Sequence, residues 1–320
     1  MDDVVQTATR PEQSRRSEGL PLGQETIVGS PNSASNVTGM RYIVFSLAIL
    51  IAACAHAQPD RILERAASLP PGQTEPLERW LAANPGASDL RASVLGEICE
   101  SASRAGRYRD AANACAEKAK SLGTGASPGL LRSVAFWRAL ASQPPVRVVG
   151  RIEEPLSYGW AGIPEVRVDI AGTIATWAVD TGAEVSVIRA SDAARFGVRW
   201  LDRELGITGS TAGVAVGGLG MIDRMRIGAA EIANVPVMVL PDENLTFEGR
   251  AIPPILGMPV FYQFGSLAFV ERGAHLRAGP SVGDIGGGRA ITWNPSGIAI
   301  ELQFHGGSLR VHLDTGANST

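Results

Sequence analysis

The apolar positions of this chain change rhythm along its length. Met1 to Gly39 is rich in Ser, Thr, Gly, Pro and charge, and shows no apolar period. Met40-Arg41 then opens an apolar run, Tyr42 to Ala53, twelve residues long. From Asp60 to about Ser142 the texture is helical. Stretches rich in Ala, Leu, Arg and Glu near Arg61–Leu69, Glu75–Ala83, Asp89–Ala105, Tyr108–Leu122 and Pro128–Ala141 are punctuated by Pro70-Pro71-Gly72, Asn84-Pro85-Gly86 and Gly123-Thr124-Gly125. Ser88 is placed to cap the third of these helices, with Arg91 standing where an acidic residue would complete a capping box. After Gln143-Pro144-Pro145 the pattern becomes strand-like, with short Val, Ile and Thr runs broken by Gly. Val166 to Ile170 alternates, Ala171-Gly172 turns, and Ile174 to Val179 returns. The expectation is an α+β multidomain chain, helical first and mostly β afterwards.

Composition adds bounds. At 320 residues, 45% hydrophobic and 19% charged, the chain can build about two cores, which excludes disordered and collagen-like classes. A net charge of −3 gives no basic excess, so no nucleic-acid partner is expected. The only lysines are Lys118 and Lys120, and 27 arginines supply the remaining basic charge, a bias that points to a GC-rich bacterial source. The Tyr42–Ala53 run falls short of the roughly twenty residues a bilayer span needs and fits the apolar core of a secretory signal. Residues 1–39 then read as an upstream extension and 40–57 as the signal. Two exits overlap: Ala55-His56-Ala57 as a cleavage site, and Ile51-Ala52-Ala53-Cys54, which resembles a lipobox and makes Cys54 a lipidation candidate. Both place the protein outside the cytosol, periplasmic or tied to the membrane by a lipid. Residues 58–145 form the helical region, whose Ala105–Ala112 stretch resembles the turn of a tetratricopeptide-type hairpin. Cys99 and Cys115 lie on either side of that turn, level with each other across antiparallel helices. In an oxidising compartment this favours a disulfide; two buried thiols are the other reading.

Candidate chemistry lies in one tetrapeptide that occurs twice. Asp180-Thr181-Gly182-Ala183 recurs as Asp314-Thr315-Gly316-Ala317, 134 residues later. The match extends upstream without a gap, Val166–Val179 against Ile300–Leu313, so each copy is an apolar hairpin feeding Asp-Thr-Gly. The duplicated signature resembles the aspartic proteases of the pepsin and retropepsin type. Ile255-Leu256-Gly257 matches the apolar-apolar-Gly element that this family runs beneath its catalytic loop. The Gly-rich stretch Ile207–Ile227, with Gly213-Val214-Ala215-Val216-Gly217-Gly218, sits where the family places its flap. The resemblance implies a retropepsin-like acid protease lobe over residues 160–280 and the first hairpin of a second lobe over 290–320. It implies Asp180 and Asp314 as the catalytic pair and the hydroxyls of Thr181 and Thr315 as a brace between the loops. Gly182 and Gly316 would leave room for tight turns at the carboxylates. Two carboxylates about 3 Å apart cannot both ionise, and the proton they share suits them to activating a water against a peptide bond. No metal or organic cofactor is implied, and the expected partner is a protein or peptide substrate.

The second lobe lacks a flap and an Ile-Leu-Gly element before Thr320, so the expectation is a fragment, weak or inactive alone, or one in which the first lobe pairs with another copy. A non-catalytic exported peptide-binding or scaffold protein on the same fold is the alternative. His56, His275, His305 and His312 have no metal-ligand spacing. Gly283–Gly288 lacks the Lys-Ser/Thr of a phosphate loop and reads as a linker.

Overall fold

Among the described residues five α-helices come first: α1 (Pro59–Ala67), α2 (Glu75–Ala83), α3 (Ser88–Arg104), α4 (Tyr108–Leu122) and α5 (Pro128–Leu140). They belong to a computed structural model that describes residues 59–67, 69–160, 162–209, 213–281, 293–294, 297–304, 307–312 and 314–316. The upstream extension, the signal, Cys54, His305 and the Gly283–Gly288 linker lie outside the described residues. Proline in the first turn of α2 and of α5 suits a position whose N–H has no helical partner. The Ser127 Oγ accepts the Leu130 N–H at 3.2 Å and caps α5. Ser88 does not cap α3. Its own N–H donates to the Gly86 carbonyl, the helix already includes it, and the capping position falls to Ala87, which has no side-chain oxygen to offer.

The α3–α4 hairpin turns at Gly106, whose φ of +70° favours glycine, and where a Cβ would collide with the Pro145 side chain. Ala102 and Ala111 are fully buried in this hairpin, and side chains this small let the helices approach closely. The Cα atoms of Cys99 and Cys115 stand 5.3 Å apart and their sulfurs are bonded.

The β region contains β1 (Arg147–Val149), β2 (Ile152–Pro155), β3 (Ser157–Tyr158), β4 (Pro164–Ile170), β5 (Thr173–Asp180), β6 (Ser186–Arg189), a short α6 (Ala190–Ala193), β7 (Arg199–Gly209), β8 (Gly213–Ile227) and β9 (Ala230–Leu240). Then come β10 (Thr246–Phe247), β11 (Arg250–Ala251), β12 (Ile255–Gly257), α7 (Met258–Tyr262), β13 (Ser266–Val270) and β14 (His275–Gly279). Hydrogen bonding runs β9-β6-β12-β5-β4-β8 and returns from β8 to β9, so the sheet closes into a barrel. β1 lies along Glu231–Ala233 of β9, on the side that β6 takes further up the strand. Alternation does the folding work in β4. Val166, Val168 and Ile170 are 2% exposed or less and face the core with Trp177 and Val179 of β5, while Glu165, Arg167 and Asp169 point away. Each such apolar burial contributes about 1.5–3 kcal/mol.

The helices are seated on this barrel. Tyr108 and Leu140 pack with Leu205, Leu219, Met221 and Met238 in one apolar cluster. Gln263 adds a hydrogen bond to the Arg104 carbonyl at 2.9 Å. Beyond the barrel, β15 (Trp293–Asn294), β16 (Gly297–Phe304) and β17 (Gly307–His312) form a separate antiparallel sheet. The β16–β17 pairing repeats that of β4–β5. Val166 faces Trp177 as Ile300 faces Val311, Val168 faces Ala175 as Leu302 faces Leu309, and every pair shifts by the same 134 residues.

Candidate active site

The first loop is set by where β5 stops. Its last residue is Asp180, and the chain turns at once because the Asp180 Oδ1 accepts the N–H of Gly182 at 2.8 Å and of Ala183 at 3.1 Å. An aspartate bonding its own backbone two residues on is an Asx turn. β12 supports the loop from below. It runs between β5 and β6, parallel to the first, with Gly257 level with Asp180. The Gly257 N–H donates to the Ser186 Oγ at 3.1 Å and the Met258 N–H to the Ala183 carbonyl at 3.0 Å. A Cβ on Gly257 would stand 2.7–2.9 Å from the backbone of Val185 and Ala183, so only glycine lets this strand lie so close.

The second loop meets the first across a near two-fold relation. The Thr181 N–H donates to the Thr315 Oγ1 at 3.0 Å, and the Thr315 N–H donates to the Thr181 Oγ1 at 3.0 Å. The Thr315 hydroxyl passes its own proton to the Val179 carbonyl at 2.7 Å. The Gly316 N–H donates to the Asp314 Oδ1 at 2.9 Å, repeating the Gly182–Asp180 bond. Thr181 is 4% exposed, so its side of these bonds is shielded from water. A Cβ on Gly182 would overlap the Asp314 carboxyl, and a Cβ on Gly316 would overlap that of Asp180. Each glycine therefore leaves the space the opposite carboxyl occupies.

Burial pushes the Asp180 carboxyl up to about 6; the Gly182 N–H opposes this, and the Asp314 carboxyl, by its charge and by a side-chain hydrogen bond, adds to it. Asp180 therefore keeps its proton up to about pH 6 beside the Asp314 carboxyl. Among the described residues no three His, Cys, Asp or Glu side chains gather as metal ligands.

Residues 166–260 match the aspartyl protease family model. Over this stretch the chain is similar to aspartyl proteases. The matched span takes in Asp180 and Ile255–Gly257, and Asp314 lies beyond it. The chain is also similar to a solved retropepsin-like aspartic protease from Rickettsia conorii, at 18% identity over 42% of this chain and 92% of that one, with a TM-score of 0.29. No curated protein matches it.

The structure brings together Asp180, Thr181, Gly182, Asp314, Thr315 and Gly316, and it places Cys99 and Cys115 in the helical hairpin. The Gly-rich stretch forms the β7–β8 hairpin of the barrel, with residues 210–212 outside the described residues. Gly217 and Gly218 of this stretch are buried. Gly218 lies against the Trp200 ring and Gly217 against Leu240 and the Val239 carbonyl, so they serve close packing at the base of the hairpin. Sequence reasoning missed Ser186, 1% exposed beneath the loop, because a serine between Val185 and Val187 carries no distinguishing signal. It also missed that the helical region reaches the loop. A cavity of about 640 Å3 is lined by Thr181, Gly182, Ala183, Glu184 and Asp314 on one side and by residues of α3–α5 on the other.

Proposed function

We propose that the chain is an aspartic endopeptidase in which Asp180 and Asp314 act as one acid–base pair. The observation that carries this reading is the reciprocal Thr181–Thr315 bonding, which holds two Asp-Thr-Gly loops face to face with their carboxyls in contact. The ionised carboxylate takes a proton from a water, whose oxygen attacks the scissile carbonyl carbon. The protonated carboxyl gives its proton to the carbonyl oxygen, forming a neutral gem-diol. Collapse of the diol breaks the C–N bond: the departing nitrogen takes the proton that came from the water, the other carboxylate takes a proton from a diol hydroxyl to leave the product acid, and the pair again holds one proton. The β7–β8 hairpin is the element suited to fold over an extended peptide and pair with its backbone.

One proton on the pair is the working state, so cleavage should fall as pH rises through about 6, where Asp180 loses its proton. The test is hydrolysis of an unstructured peptide pool by the purified chain between pH 3 and 8. Asp180→Asn should reduce the rate by a factor of about 10³ or more, the scale of losing a general acid–base group. Retained cleavage in Asp180→Asn would overturn the role given to the pair. Binding of peptide without cleavage by the unsubstituted chain would favour a peptide-binding module. The Cys99–Cys115 disulfide supports a site of action outside the reducing cytosol.

A further inference from the structure

The cavity of about 640 Å3 beside the catalytic loops has the volume of a ligand site, and two different parts of the chain build it. Gly182, Ala183 and Glu184 supply one wall, immediately after Asp180 and with Asp314 among the lining residues. Glu100 and Arg104 of α3 and Lys118 of α4 supply the charged part of the other. A peptide crossing the two carboxyls and continuing along residues 182–184 would enter this space.

The charges in it are unevenly committed. Arg104 is engaged three ways: its Nη2 lies 3.4 Å from the Glu100 Oε2, its guanidinium sits 5.7 Å from the centre of the Tyr262 ring, and its carbonyl accepts from Gln263. The Lys118 amine lies against the backbone of Gly96, where a Cβ would stand 2.6 Å from Nζ. Glu184 makes no salt bridge within 4 Å among the described residues, and it faces Glu100 across the cavity as a like charge. Glu100 lines the cavity and has half its side chain accessible. Burial, with Glu97 and Glu184 adding to it, raises its carboxyl to about 7 in spite of Arg104 and Lys118. A cation placed between Glu100 and Glu184 would favour the ionised form of Glu100 and be held by both carboxylates.

We infer that this cavity is a substrate subsite, built jointly by the helical region and the catalytic loop, that takes a Lys or Arg side chain of the peptide against the carboxylates of Glu184 and Glu100. The inference rests on the reading of the Asp180/Asp314 pair as a peptide-cleaving centre. The helices thereby determine specificity as well as support the barrel.

The test is selection from a positional octapeptide library on the immobilised full chain carrying Asp180→Asn, with retained peptides read by mass spectrometry. Lys and Arg should be enriched about tenfold over Ala at one position. Adding Glu184→Gln and Glu100→Gln should cut that enrichment to twofold or less, Glu184→Asp should keep most of it, and Lys118→Gln should raise it. No basic enrichment, enrichment that survives both glutamine substitutions, or preference for Asp and Glu would overturn the inference. The two readings fail separately. If the unsubstituted chain does not cleave the selected peptides, proteolysis is lost and the subsite stands. If it cleaves peptides with no basic preference, the subsite is lost and proteolysis stands.

Discussion

Ala171 holds φ at +52° and Gly172 at +84° in the two-residue turn between β4 and β5, the positive pair that a type I′ turn requires. Alanine pays for that conformation through its Cβ, and asparagine tolerates it better. Ala171→Asn should stabilise the fold by about 0.5–1 kcal/mol, read as a higher midpoint of thermal unfolding. The turn itself was legible in the chain, because Ala-Gly stands between two alternating runs. The strain was not, because alanine gives no sign of its φ. Asp180 carries a different residue-scale consequence. Its folded carboxyl lies near 6, above the ordinary aspartate value, so its contribution to stability is full below about pH 4 and is lost as pH rises through about 6. Asp180→Asn removes that loss. The stability of the variant relative to the unsubstituted chain should therefore increase between pH 4 and 7, which denaturant titrations across that range would measure.

At the scale of elements, the repeated hairpin was readable to the residue. A gapless match of Val166–Val179 with Ile300–Leu313 translated into the same strand register in β4–β5 and β16–β17. Period-two alternation ties each side chain to one face, so a conserved pattern forces a conserved register. The role of β12 was readable only as a motif. Its passage between β5 and β6 is a long-range pairing with no local pattern to announce it. Gly257→Ala tests that passage. The added methyl meets backbone and not a movable side chain, so overpacking should cost about 1–3 kcal/mol, and displacement of the Ala183–Val185 segment should lower peptide hydrolysis more than it lowers stability. The helix boundaries near Asp89 and Ala105 were off by one residue. Fixing them required knowing that Ser88 spends its backbone N–H on Gly86.

The whole molecule joins parts that the sequence presents as successive. The change from helical to alternating texture near Pro144-Pro145 marked where the architecture changes, and nothing in either pattern revealed the cluster that unites them. Leu140 is fully buried in that cluster, between Tyr108 on α4 and Met221 and Met238 on the barrel. Leu140→Ala should destabilise by about 2–5 kcal/mol and, by loosening the helical wall of the cavity, broaden the range of peptides retained. A fully buried position at the last turn of a helix reads in sequence as ordinary amphipathicity, because the side it faces belongs to another part of the chain.

β1 has a consequence for handling the protein. It is the strand through which the helical region enters the barrel, pairing Arg147, Val148 and Val149 with Ala233, Ile232 and Glu231. Pro145 just before it accepts the Asn234 side-chain N–H at 3.1 Å. A truncated lobe beginning after Val149 would expose that row of β9 amides and carbonyls as an open sheet edge, a template for pairing with a second molecule. Such a truncation should form larger species in size-exclusion chromatography than the longer chain does. The segment that links the two regions thus also guards the lobe against aggregation.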